Sequence, residues 1–275
     1  MKSPLVTIVL PTHNGAQYIA QALKSVLAQT YTNWELLVID DGSTDETIQV
    51  LEAFILRDKR IRMLKNEKKL GIQAALNHGL SEAVGKYIAR IDDDDVWIDS
   101  TKLDQQVFYM EQHDECVLVG TNVVVIDEMG IEKMRYQLPQ DDKLIRERML
   151  VKNCFAHSSV VFRRETIETV GRYSQQKKHR HVEDYELWLR LGITGTMHNL
   201  DMFGLAWRVR GQSITAKNKT RQFLNNVRLV TVFIGKYPNG VFAFVFACVR
   251  FVVYQMYQLF PSRLHHWLFK RYKQW

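Results

Sequence analysis

The chain has 275 residues, 46% of them hydrophobic and 24% charged, which excludes disordered, collagen-like and coiled-coil proteins. That length buries an adequate core without disulfides or a structural metal. The net charge of +7 is unevenly spread: residues 1–201 carry 25 basic and 30 acidic side chains, whereas after Asp201 there are 12 Lys and Arg and no Asp or Glu.

An acidic body with a basic tail rich in Phe, Val, Tyr and Trp points to an anionic membrane surface as the tail's partner, and away from nucleic acid. Cys116, Cys154 and Cys248 are far apart and odd in number, so a reducing compartment is expected rather than a disulfide framework. Met1–Leu10 lacks the apolar core and small-residue cleavage site of a secretory signal.

In chain order, Val6–Leu10 is a β-branched run stopped by Pro11 and predicts a buried strand. Thr12–Gly15 is turn chemistry, and Tyr18, Ile19, Ala22, Leu23, Val26 and Leu27 then recur at helical spacing. Leu36–Ile39 predicts a second strand, ended by Asp40-Asp41-Gly42-Ser43. Ser43 and Glu46 have capping-box spacing ahead of a helical face of Ile48, Leu51 and Ile55. Ile61–Leu64 predicts a third strand, Gly71 opens a helix, and Tyr87–Ile91 predicts a fourth strand running into Asp92-Asp93-Asp94-Asp95. Strands alternating with helices imply an α/β fold, a mostly parallel sheet flanked by helices. Ligands in such sheets sit beyond the carboxyl ends of the strands, where Pro11–Asn14, Asp40–Asp41 and Asp92–Asp95 all fall.

From Cys116 the rhythm changes. Val117–Val119, Asn122–Ile126 and Val160–Phe162 predict strands; Asp142–Val151 and Tyr185–Leu191 predict helices. No linker, repeat or low-complexity segment interrupts the chain before about residue 215, so the two halves are expected to join without a hinge.

Adjacent carboxylates raise one another's pKa, so the Asp92–Asp95 run needs a cation or open solvent. Oxygen ligands without His or Cys suit Mg²⁺ or Mn²⁺, not zinc. A solvated loop is the commoner fate of such a run, but this one follows an apolar strand directly and leads into Val96-Trp97-Ile98. Turn formation and helix capping would by themselves explain Asp40 and Asp41; their place at a strand end beside the aspartate run revives a functional role. Glu183-Asp184, just ahead of an apolar helix, fits two roles equally: carboxylates stabilised by the helix dipole, or a base of low pKa facing a hydroxyl. His179 and His181 are read as surface residues, because a zinc site lacks further ligands at a definite spacing. Neither GxGxxG after the first strand nor GxxxxGK[ST] occurs, which removes the dinucleotide and P-loop cradles.

Val6-Thr-Ile-Val-Leu-Pro-Thr-His-Asn14, Leu37-Val-Ile-Asp-Asp-Gly-Ser-Thr-Asp45 and Tyr87-Ile-Ala-Arg-Ile-Asp-Asp-Asp-Asp-Val-Trp97 together resemble family 2 glycosyltransferases of the GT-A (Rossmann-like) fold, as found in bacterial surface-polysaccharide assembly. His157-Ser-Ser-Val-Val-Phe-Arg163 and Glu183-Asp-Tyr-Glu-Leu-Trp-Leu-Arg190 resemble that family's acceptor half. The resemblance implies a catalytic domain over 1–215, divided into a nucleotide-sugar-binding half (1–115) and an acceptor half (116–215); the basic, apolar segment over 216–275 is read from its composition as a membrane-associating tail. The resemblance also implies a metal-dependent, inverting hexosyltransferase-like activity that takes a sugar from a nucleotide diphosphate donor to a hydroxyl of a glycan, lipid-linked in the expected case. Pro11, Thr12 and Asn14 would border the nucleoside and Asp41 would accept from its base. Asp92 would lie near ribose and metal, Asp94 would ligate Mn²⁺ or Mg²⁺, and Asp184 would be the general base. The middle position of the DxD motif is itself Asp93, so a one-residue shift within the run stays open. Trp207-Arg208 stands where processive synthases carry QxxRW; that motif is incomplete, which favours addition of a single sugar. A nucleotidyltransferase and a catalytically silent nucleotide-sugar or membrane-binding module are the rival classes, and a homo-oligomer is left open.

Val241–Phe260 has the length of a membrane span but is broken by Arg250 and two glutamines. An Arg near the middle costs roughly 2.5–3.5 kcal/mol on insertion. After Pro261, Leu264, Trp267 and Leu268 oppose Arg263, His266 and Lys270 in an amphipathic pattern. Helices lying in the interface on the cytoplasmic face of a membrane are therefore expected, with packing on the catalytic domain or on a second subunit as the alternative.

Overall fold

The computed structural model describes residues 3–210 and 219–259. Its strands are β1 (Val6–Thr12), β2 (Trp34–Asp40), β3 (Ile61–Lys65), β4 (Tyr87–Arg90), β5 (Val96–Trp97), β6 (Cys116–Ile126), β7 (Glu132–Tyr136), β8 (Val161–Arg163) and β9 (Thr196–Arg208). Its helices are α1 (Ile19–Leu27), α2 (Thr47–Ile55), α3 (Ile72–Glu82), α4 (Lys102–Gln112), α5 (Asp142–Met149), α6 (Arg164–Val170), α7 (Glu183–Thr194), α8 (Lys219–Phe233) and α9 (Gly240–Leu259).

The strands form one sheet in the order β3-β2-β1-β4-β8-β6-β9-β5, with β7 paired to β6. From β3 to β4 every pairing is parallel, as alternating strands and helices require. Beyond β4 the pairing is mixed: β4–β8, β6–β8 and β5–β9 are antiparallel and β6–β9 is parallel. The sheet is covered on both faces. Val6, Ile8 and Leu10 of β1 pack with Ile19, Leu23 and Leu103 on one side. Val9 faces the other way, with Leu76, Trp188, Leu229 and Ala243. That two-residue alternation inside a fully buried strand is the mark of burial on both faces.

Several expected elements shift. The two strands foreseen between Val117 and Ile126 are one strand, β6, whose register against β9 slips around Thr121–Val123 where Gly120-Thr121-Asn122 interrupts the apolar run. Strand β9, which mixes polar and apolar residues without clean alternation, was not anticipated, nor was helix α4, whose buried face of Leu103, Gln106, Val107 and Met110 keeps helical spacing but includes a polar residue. The capping box is also absent. α2 starts at Thr47, whose amide donates to Asp45 Oδ1 (3.1 Å), while Ser43 Oγ accepts from the Asn14 amide (2.9 Å). Ser43 ties two loops together instead of opening a helix.

The C-terminal helices lie against the body. α8 contributes Leu229, Val230 and Phe233, and α9 contributes Ala243, to the core shared with Trp188 and Tyr185. Among the described residues no helix is long and apolar enough to cross a membrane. The amphipathic segment expected after Pro261 lies outside the described residues.

Candidate active site

The carboxyl ends of β1, β2 and β4 meet at one edge of the sheet, and the loops that leave them are tied to one another. Pro11 and Thr12 pair with Ile39 and Asp40 in the β1–β2 ladder. Thr12 Oγ1 donates to Asp93 Oδ2 (2.6 Å), joining the end of β1 to the aspartate run. Gly15 is pressed against the same pair; a Cβ there would strike the Asp93 carboxylate and Thr12 Oγ1. Asn14 sits at φ 56°, a conformation Asn tolerates. Its Oδ1 accepts from the Thr44 amide (2.8 Å).

Asp41 is buried, and its carboxylate accepts from Asn66 Nδ2 (2.8 Å) and from the amides of Leu70 (2.9 Å) and Gly71 (2.8 Å). It thus pins the 66–71 loop against the end of β2. Three of its acceptor positions serve the chain itself, which leaves one for a ligand.

The four aspartates diverge in surroundings. Arg90, the last residue of β4, is fully buried and reaches forward two residues to Asp92 Oδ1 (2.5 Å). Ser158 Oγ accepts from Arg90 Nη1 (3.2 Å) and from the Asp92 amide (3.0 Å). Burial opposes ionisation of Asp92, but the Arg90 guanidinium wins and holds its carboxyl below the usual range. Asp93 has no such cation in contact, and burial lifts its pKa to about 7. Asp94 Oδ2 pairs with the half-exposed Arg210 (2.7 Å), yet burial and the charge of Asp92 still raise its pKa. Asp95 is buried, accepts from the Arg208 amide (2.9 Å), and is raised well above the normal carboxylate range by desolvation.

Arg208 is the staple of this turn. From β9 its Nε donates to the Asp94 carbonyl (2.8 Å) and its Nη2 to Gln21 Oε1 (2.7 Å), with the guanidinium 4.6 Å from the Tyr18 ring centre. The neighbouring Trp207 is exposed.

Across the edge, Asp184 is the second residue of α7, and Asn153 Nδ2 donates to its Oδ2 (3.0 Å). The base of low pKa expected at this helix start is not what the structure holds. Burial raises the Asp184 pKa despite the helix amides and the charge of Arg90. Glu183 is pushed up to about 7 by burial and then by Asp184, and its Oε2 has no hydrogen-bond partner among the described residues. Desolvation outweighs the helix terminus here.

Between the two acidic groups lie Tyr173 and His157, joined by a hydrogen bond between Tyr173 Oη and His157 Nε2 (2.8 Å). Burial holds His157 well below its usual pKa, so it is neutral. Arg90 acts electrostatically on Asp92, Asp94, Glu183, Asp184 and Tyr173, which places them in one neighbourhood. His179 is buried, not at the surface, and bonds Ser174 Oγ (2.7 Å).

Asp92, Asp93, Asp94 and Asp184 are therefore brought together, and Thr12 joins them directly. Pro11, Asn14 and Asp41 border the same edge through the β1 and β2 loops. No part in the aspartate site was foreseen for Arg90, Ser158, Tyr173, Arg208 or Arg210, although Arg90, Ser158 and Arg208 stand in the motifs quoted above. One signal existed: Arg90 is a charge inside an apolar strand, and a buried charge demands a partner. Among the described residues no group of three or more His, Cys, Asp and Glu is arranged to hold a metal. The donor chemistry still fits Mg²⁺ or Mn²⁺, which take one or two carboxylates and complete their shell with water and phosphate oxygens. Asp94 already carries a cation, an exposed guanidinium that a metal ion can displace.

The family model described as Glycosyl transferase family 2 matches residues 7–171. The chain belongs to that family. It is a glycosyltransferase, which sets aside the nucleotidyltransferase and the silent binding module. This family 2 chain is 28% identical over 267 residues to "Amylovoran biosynthesis glycosyltransferase AmsE" of Erwinia amylovora, covering 97% of each. It is 36% identical over 192 residues to "UDP-Glc:alpha-D-GlcNAc-diphosphoundecaprenol beta-1,3-glucosyltransferase WfgD" of Escherichia coli, covering 70% of this chain and 71% of WfgD. In fold it resembles the mannosyltransferase PcManGT of Pyrobaculum calidifontis, solved with GDP-Man and Mn²⁺, at a TM-score of 0.68 and 17% identity, over 90% of this chain and 74% of that one. The glycosyltransferase fold is thus the GT-A arrangement of a helix-flanked sheet.

Proposed function

We propose that this transferase uses Mn²⁺ or Mg²⁺ to move one sugar, with inversion, from a nucleoside diphosphate onto a hydroxyl of a lipid-linked glycan, at the inner face of a membrane. The reading is supported chiefly by buried Arg90, which bonds Asp92 directly and whose charge also reaches Asp94 and Asp184. In this reading residues 1–115 hold the donor, 116–215 hold the acceptor, and 216–275 form the membrane-associating tail.

Pro11, Thr12 and Asn14 border the nucleoside, and Asp41 offers its remaining acceptor position to the base while fixing the 66–71 loop. Asp94 would hold the metal with Asp92 beside it, and a divalent cation there would supply positive charge against the negative charge that grows on the departing diphosphate. Arg90 and Ser158 keep Asp92 ionised and aimed before any ligand arrives. Asp184 takes the proton of the incoming hydroxyl. Its raised pKa improves it as a base, since a strongly acidic carboxylate has little affinity for a proton. A single in-line displacement from the face opposite the leaving group inverts the anomeric carbon.

Two neighbours support the finer points: WfgD is named for a diphosphoundecaprenol-linked acceptor, and PcManGT was solved with GDP-Man and Mn²⁺. A thermal-shift screen of nucleoside diphosphates, with and without Mn²⁺, tests the reading. A ligand at 100 times its Kd stabilises the native state by about 2.7 kcal/mol, so a shift of several degrees that requires the metal is expected for one base. If no nucleoside diphosphate gives a metal-dependent shift, the donor site is misassigned.

A further inference from the structure

Helix α9 (Gly240–Leu259) is amphipathic in the inverted sense. Its inner face sets Ala243, Phe244 and Ala247 against the core. Its outer face carries Val241, Phe242, Val245, Val249, Val252 and Val253, each 53% to 71% exposed. Val241, Val245, Val249 and Val252 follow the i+4, i+4, i+3 spacing of a single helical stripe. At 1.5 Å per residue the stripe runs for about 17 Å. Apolar side chains spaced this way normally face a core; here they face outward as a continuous band, which marks an interaction surface.

The surrounding charge says what covers it. Arg221, Arg228 and Lys236 of α8 and the following turn are exposed, and Arg250 borders the stripe with its guanidinium 5.6 Å from the Phe246 ring centre. No Asp or Glu occurs after residue 201. In a symmetric pair formed through this stripe, α8 and α9 would themselves offer only cations to one another, since neither helix carries an Asp or Glu. An anionic lipid surface supplies both what the stripe lacks, an apolar medium at shallow depth, and what the cations lack, negative charge.

The position of α9 relative to the site gives the surface a purpose. Arg250 Nη1 donates to the Val151 carbonyl (3.4 Å), and two residues further on Asn153 holds Asp184 (3.0 Å). We infer that the outward stripe of α9 docks on an anionic bilayer and thereby presents the Asp184 side of the site to an acceptor carried in that bilayer. The inference deepens the membrane-associated reading above and rests on it, and its link to the acceptor rests on the lipid-linked part of that reading.

The full chain is sedimented with vesicles of phosphatidylcholine, alone or mixed with phosphatidylglycerol. The wild type is expected to bind the anionic vesicles about tenfold or more tightly than the neutral ones. The double variant Val245→Glu/Val249→Glu is expected to lose about tenfold or more of that binding. Val84→Glu, at a valine 64% exposed elsewhere on the body, is the control and keeps it. The metal-dependent thermal shift with nucleoside diphosphate, retained in both variants, certifies their fold. Equal binding by the double variant overturns the inference, as does failure of the wild type to prefer anionic vesicles. A wild-type dimer by light scattering that the double variant reduces to monomer, with vesicle binding unchanged, gives the stripe to a second copy instead. If docking holds while transfer to a vesicle-borne acceptor is no faster than to the same glycan free in solution, the docking survives and its link to the acceptor falls.

Discussion

The Asp92–Asp95 turn and the Glu183–Asp184 helix start carry the same kind of side chain and are buried enough to resist ionisation, yet they are braced differently. In the turn, Arg90 holds Asp92, Arg210 holds Asp94, and the Arg208 amide holds Asp95. At the helix start, Asn153 and the helix amides face Asp184, and one oxygen of Glu183 has no partner among the described residues. The contact with Arg90 keeps Asp92 charged and fixed, as suits the anchoring of a cation, while Arg210 only tempers the rise that burial imposes on Asp94. Neutral donors with desolvation let a carboxylate gain a proton, as suits a base. The lesson is that burial alone does not assign a role to an acidic residue; the charge of its partners does.

Removing one carboxylate from each cluster breaks that contrast most severely. Asp184→Asn is expected to slow transfer by about 10²–10⁴-fold, the usual worth of a positioned base, while leaving the metal-dependent nucleotide shift in place. Asp94→Asn is expected to abolish transfer and that shift together. Steady-state kinetics beside thermal shifts check both, and full activity in either variant removes that residue from its role.

The next largest effect concerns Arg90. Arg90→Met strips Asp92 of its cation and is expected to destabilise the fold by about 3 kcal/mol in chemical denaturation. This is the low end for a broken buried pair, because the Asp92 side chain keeps 36% exposure to water. Asn153→Ala, at the other cluster, is expected to cost about 1 kcal/mol. Equal losses would erase the distinction between the clusters.

The smallest effect is a pH dependence. Glu183 binds its proton with a pKa of about 7 in the folded chain, against 4.5 for an ordinary glutamate. A folded-state pKa raised in this way favours the native protein below about pH 4.5, and that contribution is lost as pH rises through about 7. Metal-free melting temperatures across this range should fall in the wild type. Glu183→Gln should flatten the decline by on the order of 1 kcal/mol, since the group is only half-buried. An unchanged slope would show that another carboxylate drives it.

Much of the site was legible beforehand because apolar period and strand-end position are local properties. Asp92–Asp95 come just after the buried β4, Thr12 closes β1, and Asp41 directly follows β2. The surprises have a common cause. Ser158 and His157 precede β8, which runs antiparallel to β4, so the chain delivers them beside Asp92 from about 66 residues away. Likewise β5 pairs antiparallel with β9, Val96 opposite Ala206, which carries Arg208 to the aspartate turn. Neither pairing leaves a local mark. Strand β9 itself mixes Asn199, Asp201 and Gly204 into its length, which hides it from a search for alternation.

Read alone, the amino-acid order determined the parallel half of the sheet, the three strand ends that meet at one edge, and the basic, acid-free character of the tail, since each follows from residues within a few positions of one another. The tertiary structure decided which arginine each carboxylate meets, how far desolvation carries Glu183 and Asp184 from ordinary acidity, and that α9 turns its valines outward. These depend on the low-dielectric surroundings and antiparallel pairings that exist only once distant segments are packed together.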